Sequence, residues 1–251
     1  MARRSPAPDA VRSIYLLWGH HPSPGRSGLT VPAIVRAGVE IADADGLDAA
    51  SMRKVAERLG VSTMSLYNYV PGKEDLTALM LDTVYAELYD NDVEAAKNAG
   101  DWRDGMRFVA GRNWDLYVRH PWLLDLRMSR PVLGPNTSRK YETELRPLDD
   151  IGLSDVEMDA SLTLVLNLVE STARAHRGTL QTQKDSGMTD AEWWNVVSPV
   201  LGQVMDDDEL VLSDRVGSSV GAKFDAAHNP EHILGFGLET VLDGIQARLD
   251  R

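Results

Sequence analysis

Two serines, Ser51 and Ser62, each open a short run with helical spacing, and Gly60 stands just ahead of the second. A serine hydroxyl at this position accepts from an amide of the first turn and so starts a helix. Glycine takes a left-handed backbone cheaply and so ends one. Val55, Ala56 and Leu59 fall on one side of the first run and Leu66 on one side of the second, and Pro71-Gly72 stops the pattern. The spacing therefore predicts two short helices within Ser51 to Val70, joined by a tight turn at Gly60-Val61.

The flanking chain continues in the same period. Ile34, Val35, Gly38, Ile41 and Ala42 share a face, Thr30 caps, Pro32 sits in the first turn and Gly46 closes the helix. Leu76, Leu79, Met80 and Val84 carry an amphipathic helix after Pro71-Gly72. Further helices are expected near 102–120, 122–130, 137–151, 154–178, 189–206 and 230–249, with residues from Asp206 to Asn229 as a loop or connector. No alternating strand pattern appears, so the fold class is all-α: a three-helix N-terminal domain with a helix-turn-helix, and a larger helical domain. Residues 1–29, rich in Pro, Ser, Gly and Arg, are expected to form a flexible arm. The domains are then 1–29, 30–76 and 77–251.

Charge is divided unevenly along the chain. Residues 1–75 carry nine Lys and Arg against eight Asp and Glu, a net of +1, so the chain's total of −12 comes from a remainder at −13. A near-neutral module with local cations still neutralises phosphates, because counterion release follows contacts made. With no cysteine there is no disulfide or thiolate chemistry, and a cytoplasmic location fits. The apolar run Ile14 to Trp18 is too short for a secretory signal, and no window reaches the length of a membrane span. Of the six histidines, His228 and His232 have ligand spacing, but Pro230 interrupts a helix that would align them. No Gly-x-Ser-x-Gly elbow is present. An enzyme is not expected, nor a metal or cofactor.

Two short capped helices, the second with a polar and aromatic outer face, suit the geometry that lays a recognition helix in the major groove of double-stranded DNA. Arg53, in the first turn of the earlier helix, can reach a guanine edge or a phosphate. Thr63, Met64 and Ser65 open the recognition helix, where residues face base edges; Met64 either meets a thymine methyl or packs. Asn68 contacts either adenine or phosphate. Arg3, Arg4 and Arg26 either extend the arm to DNA or merely solubilise it.

The string from Ser51 through Val70 to Pro71-Gly72-Lys73-Glu74-Asp75-Leu76 resembles the tetracycline-repressor (TetR) family nearly residue for residue. Arg119-His120-Pro121-Trp122, Ser129-Arg130-Pro131, Gly134-Pro135-Asn136, Phe236-Gly237-Leu238 and Leu242-Asp243-Gly244 resemble its C-terminal regulatory domain. The resemblance implies that Tyr67, Tyr69 and Lys73 clamp phosphates, that a small-molecule effector occupies the large domain, and that a homodimer forms through a four-helix bundle. For the effector, Trp114, Tyr117, Asn167 and Glu170 are the chosen pocket residues, with ordinary core packing as the alternative for each. For the dimer they are Leu162, Val165, Leu166 and Val169 of one helix and Leu238, Val241, Leu242 and Ile245 of another, with intramolecular burial as the alternative. The family's founding member has a histidine shortly before its Arg-Pro pair, where this chain has Leu126-Arg127-Met128 before Arg130-Pro131, which speaks against a tetracycline–magnesium ligand. The implied function is a transcriptional repressor released by its effector; an activator and a helical interaction dimer are the alternatives.

Overall fold

Thr30 Oγ1 accepts from the Ala33 amide at 3.3 Å and starts α2 (Val31–Asp45), which ends at Gly46 with φ of +86°. In the same way Ser51 Oγ accepts from the Lys54 amide to start α3 (Met52–Arg58), and Ser62 Oγ accepts from the Ser65 amide to start α4 (Thr63–Tyr67). Gly60 between them has φ of +67°, as the tight turn requires.

The computed structural model describes residues 6–23, 28–89, 100–127, 130–205 and 209–250. The other helices are α1 (Pro6–Leu17), α5 (Lys73–Tyr85), α6 (Trp102–Arg119), α7 (Pro135–Leu145), α8 (Asp155–Ser186), α9 (Asp190–Val204), α10 (Val211–Phe224) and α11 (Pro230–Leu249). Single 3-10 turns lie at Leu47–Ala49, Pro121–Asp125 and Arg146–Leu148. Among the described residues there is no strand, and no helix is long and apolar enough to cross a membrane.

Packing divides the chain into two units, Met1–Thr163 and Leu164–Arg251. In the first, α2 packs on both α3 and α5, and α5 packs on α7. Ile34, Val55, Leu66, Val70, Leu76 and Met80 are fully buried there. Gly38 lets the two long helices close up, since a Cβ at that position would come within 2.8 Å of Met80 Sδ. The same apolar cluster takes in Leu116, Trp122, Leu123 and Val132. The expected boundary at 76/77 is thus not a gap in packing: α5 carries one core from the helix-turn-helix into the larger helical part.

In the second unit Thr189 and Glu192 form a reciprocal capping box at the start of α9, and these hydrogen bonds hold the Glu192 carboxyl below its ordinary range. Asn229 caps α11 through the His232 amide. A Cβ at Gly221 would lie 2.6 Å from Trp194 Nε1, so α10 approaches α9 where it has no side chain.

Three expectations need correction. Residues 6–17 of the expected arm form α1, which tertiary contacts hold: Leu16 is buried, Ser13 Oγ donates to Asp75, and Trp18 Nε1 donates to the Leu133 carbonyl at 2.9 Å. Composition gave no sign of those partners. Arg3, Arg4 and Arg26 lie outside the described residues. The connector expected before Asn229 contains α10, whose Gly and Ser content masks a helical Val211, Leu212, Val216 and Val220 spacing. Among the described residues between 121 and 130 the chain makes the single turn Pro121–Asp125 and no longer helix: three consecutive residues, Trp122, Leu123 and Leu124, are buried, which leaves no helical outer face.

Candidate nucleic-acid interface

The helix-turn-helix is held from behind by two apolar anchors and from the side by ion pairs. Leu66 and Val70 are fully buried, which fixes the rotation of α4 about its axis. Arg58 binds Glu40 of α2 through Nε at 3.0 Å and Nη2 at 2.6 Å, and Lys54 pairs with Asp45. These two cations are therefore engaged within the head. Arg53 is exposed, and it has no ion pair among the described residues.

With Leu66 inward, Met64, Tyr67 and Asn68 share the outer face by helical spacing. Met64 is 74% exposed and Tyr67 46%. Asn68 is exposed at the C-terminal end of α4. An exposed methionine next to an exposed tyrosine has no folding rationale in a one-and-a-half-turn helix. Thr63 is half-buried. Ser65 Oγ lies 2.9 Å from Ser62 Oγ, so the hydroxyl already has a partner inside the cap. Tyr69 is half-buried against the core, whereas Lys73 stands exposed at the first position of α5 with Nζ 3.7 Å from Asp48 Oδ1. An exposed pair at that separation holds little energy and leaves the ammonium available. The structure thus presents Arg53, Met64, Tyr67, Asn68 and Lys73 outward, and turns Ser65 and Tyr69 partly inward.

Comparison with known proteins gives the family. Residues 34–80 match the model described as bacterial regulatory proteins, tetR family, and residues 94–249 match the tetracyclin repressor-like C-terminal domain. The chain belongs to the TetR family. It is 38% identical over 242 residues, 95% of this chain and 86% of the relative, to the HTH-type transcriptional repressor DrrR1 of Streptomyces coeruleorubidus. It is 33% identical over 147 residues, 59% of this chain and 61% of the relative, to an HTH-type transcriptional regulator of Saccharopolyspora erythraea. In fold it is similar to ActR of Streptomyces coelicolor, solved in complex with actinorhodin, at a TM-score of 0.70 and 23% identity over 89% of this chain and 99% of that one. This TetR-family chain is a DNA-binding transcriptional regulator and not an enzyme.

The residues expected to contact an effector fall in both units. Trp114 and Tyr117 are half-buried on α6 of the first; Asn167 is exposed on α8 of the second, where Glu170 pairs with Arg174 at 2.7 Å. A polar cluster that the sequence reading did not assemble lies in the first unit. Glu144, with no exposed surface, accepts from Tyr89 Oη at 2.8 Å and Asn113 Nδ2 at 2.6 Å, and pairs with Lys140. Burial and the Glu144 carboxylate push the Tyr89 phenol well above its ordinary range. A cavity of about 320 Å³ lined by Tyr85, Tyr89, Asn136, Arg139, Lys140 and Thr143 adjoins it.

Of the residues expected at a dimer interface, Leu162, Val165, Val169, Leu238, Leu242 and Ile245 are buried within the chain, and Leu166 and Val241 are half-buried. On the same two helices Leu164, Ile233 and Phe236 are the large exposed apolar side chains nearest them, at 57%, 47% and 70% exposure. Inward and outward faces of one helix share the same spacing, so periodicity does not tell which is turned to solvent.

Proposed function

We propose that the protein is a homodimeric, cytoplasmic repressor that places its two α4 segments in successive major grooves of operator DNA and leaves it when a small molecule occupies the helical domain. The observation that carries this reading is the outward Met64, Tyr67 and Asn68 on a helix locked by Leu66 and Val70. In it, Arg53, Thr63, Met64 and Ser65 serve base reading, and Tyr67, Asn68, Tyr69 and Lys73 serve the phosphates on either side. The repressor sign is supported by the 38% identity to DrrR1, and an effector by the actinorhodin complex of ActR.

Trp114 and Tyr117 of the first unit, and Asn167 and Glu170 of the second, are each proposed as effector contacts. A mostly apolar ligand with a few polar groups suits them. The dimer is proposed to form through α8 and α11, on Leu164, Ile233 and Phe236 together with the half-buried Leu166 and Val241. Two protomers are needed because a single short helix binds weakly, while a pair spaced about 34–36 Å apart addresses adjacent turns of one face.

Selection from random-sequence duplex DNA tests the reading. A two-fold symmetric consensus, bound with steep salt dependence and released by a member of a small-molecule collection, is expected. Recovery of no enriched sequence would overturn it.

A further inference from the structure

We propose that His120 is a positioning residue for the DNA-reading head, an imidazolium that ties α2 to the chain leaving α5 and lets go when it loses its second proton. Its ring is 94% shielded, with Nδ1 2.6 Å from Asp43 Oδ1 and Nε2 3.2 Å from Glu87 Oε2. Asp43 lies on α2, which packs directly on the helix-turn-helix. Glu87 follows α5, and His120 itself caps the end of α6. One side chain thus joins the head to the two helices that carry the core into the regulatory part.

The chemistry of the donors sets what each state of the ring can satisfy. An ionised carboxylate only accepts, and a neutral imidazole has one N–H and one lone pair. A neutral His120 therefore satisfies one of the two acids and turns a lone pair on the other. With a proton on each nitrogen it donates to both. Each of the two acids also has a second donor. Trp122 Nε1 donates to Asp43 Oδ1 at 2.7 Å, and Arg119 Nη1 donates to Glu87 Oε2 at 2.8 Å. Burial raises the Glu87 carboxyl, but the hydrogen bonds and charges of Arg119 and His120 outweigh it and hold Glu87 below its ordinary range. Asp43 and Glu87 meet this ring directly, Arg119 pairs with Glu87, and the Arg112 guanidinium donates to the Glu87 carbonyl at 3.1 Å.

Histidine is the side chain whose charge changes in the physiological range, so the tie depends on pH. While it is made, the head has a fixed setting and pays less to order on DNA; released, it pays that cost on binding. Operator affinity is expected to fall as the proton leaves. The inference rests on the DNA-binding reading only for that last consequence.

The test uses the full chain and a duplex recovered by the selection described above. Nuclear magnetic resonance of the His120 ring in the DNA-free protein is expected to show the second ring proton lost over the same pH range in which operator affinity falls. Operator Kd is expected to rise about fivefold from pH 6.5 to 8.5, a coupling at the low end of allosteric effects. In Glu87→Gln the amide can donate to a neutral Nε2 or accept from a protonated one, so the pH dependence should flatten while folding persists. His120→Gln, which carries no titrating proton, should flatten it too. A ring whose protonation does not change over the range in which affinity does, or a Glu87→Gln slope equal to that of the parent, would overturn the tie. Absence of binding at every pH would instead sink the DNA-binding reading, and the ring spectrum would still decide the protonation state.

Discussion

Asp82, near the C-terminal half of α5, takes the place of the side-chain cap that Gly134 does not supply to α7. Its Oδ1 accepts from the Thr137 amide and hydroxyl, each at 2.9 Å, and its Oδ2 accepts from Asn136 Nδ2 at 3.2 Å. A Cβ at Gly134 would overlap the same carboxylate. Gly134→Ala is therefore expected to destabilise the fold by about 1–3 kcal/mol through overpacking. Asp82→Ala should cost about 1–2 kcal/mol by removing the cap. Urea denaturation measures both, and because the two changes act on one contact, the double variant should cost less than their sum. Additive losses would show that the two residues do not share a contact.

The division of labour across the helix-turn-helix makes a second prediction. Lys73→Ala is expected to weaken binding to every duplex alike and to reduce the salt slope by roughly 0.9, one phosphate's share. Arg53→Ala is expected to relax base preference, at about 1–3 kcal/mol against the preferred sequence. Ser65→Ala is expected to relax base preference as well, with an added cost through the cap, since its hydroxyl is bonded to Ser62. Binding curves over several duplexes and salt concentrations separate these effects. Equal loss of preference in Lys73→Ala and Arg53→Ala would mean that the contact types are wrongly assigned.

What could be read from sequence follows from how local its cause is. Thr30, Ser51, Ser62 and Gly60 act within three or four residues, and all four do what their chemistry predicts. The head was therefore legible down to its caps. The Glu144 cluster was not, because Tyr89 and Asn113 lie 55 and 31 residues from their acceptor and no period connects them. Helix α10 was hidden for a related reason: Gly221 is there for Trp194, a contact that no local pattern records.

That hidden cluster sets two expectations in stability. Lys140 is 10% exposed and is the cation paired with Glu144, so Lys140→Met strands a buried carboxylate and should destabilise by about 3 kcal/mol. Adding Glu144→Gln should recover part of the loss. The raised Tyr89 phenol has its own sign: the folded state keeps a proton that the unfolded chain gives up, so this contribution is intact below the ordinary tyrosine range and is lost above it. Ultraviolet titration should find one of the seven tyrosines silent until the protein unfolds in alkali, and Tyr89→Phe should remove that silent group. If all seven ionise before unfolding, Tyr89 is not held as described.

The dimer gives the last expectation, because inward and outward faces of α11 can be altered separately. Leu242 has no exposed surface, so Leu242→Asp buries an unpaired charge and should unfold the second unit. Phe236 is 70% exposed, and Phe236→Asp should leave circular dichroism unchanged. If α11 is the dimer face, the same substitution puts like charges across a two-fold axis, where each Phe236 faces the partner's α11. Sedimentation should then show a folded monomer, and operator affinity should drop at least tenfold, because one head loses the partner that orders it over the adjacent groove. A Phe236→Asp protein that stays dimeric would place the interface on another surface, and the exposed Trp193, Val196 and Val200 of α9 would be the next to alter.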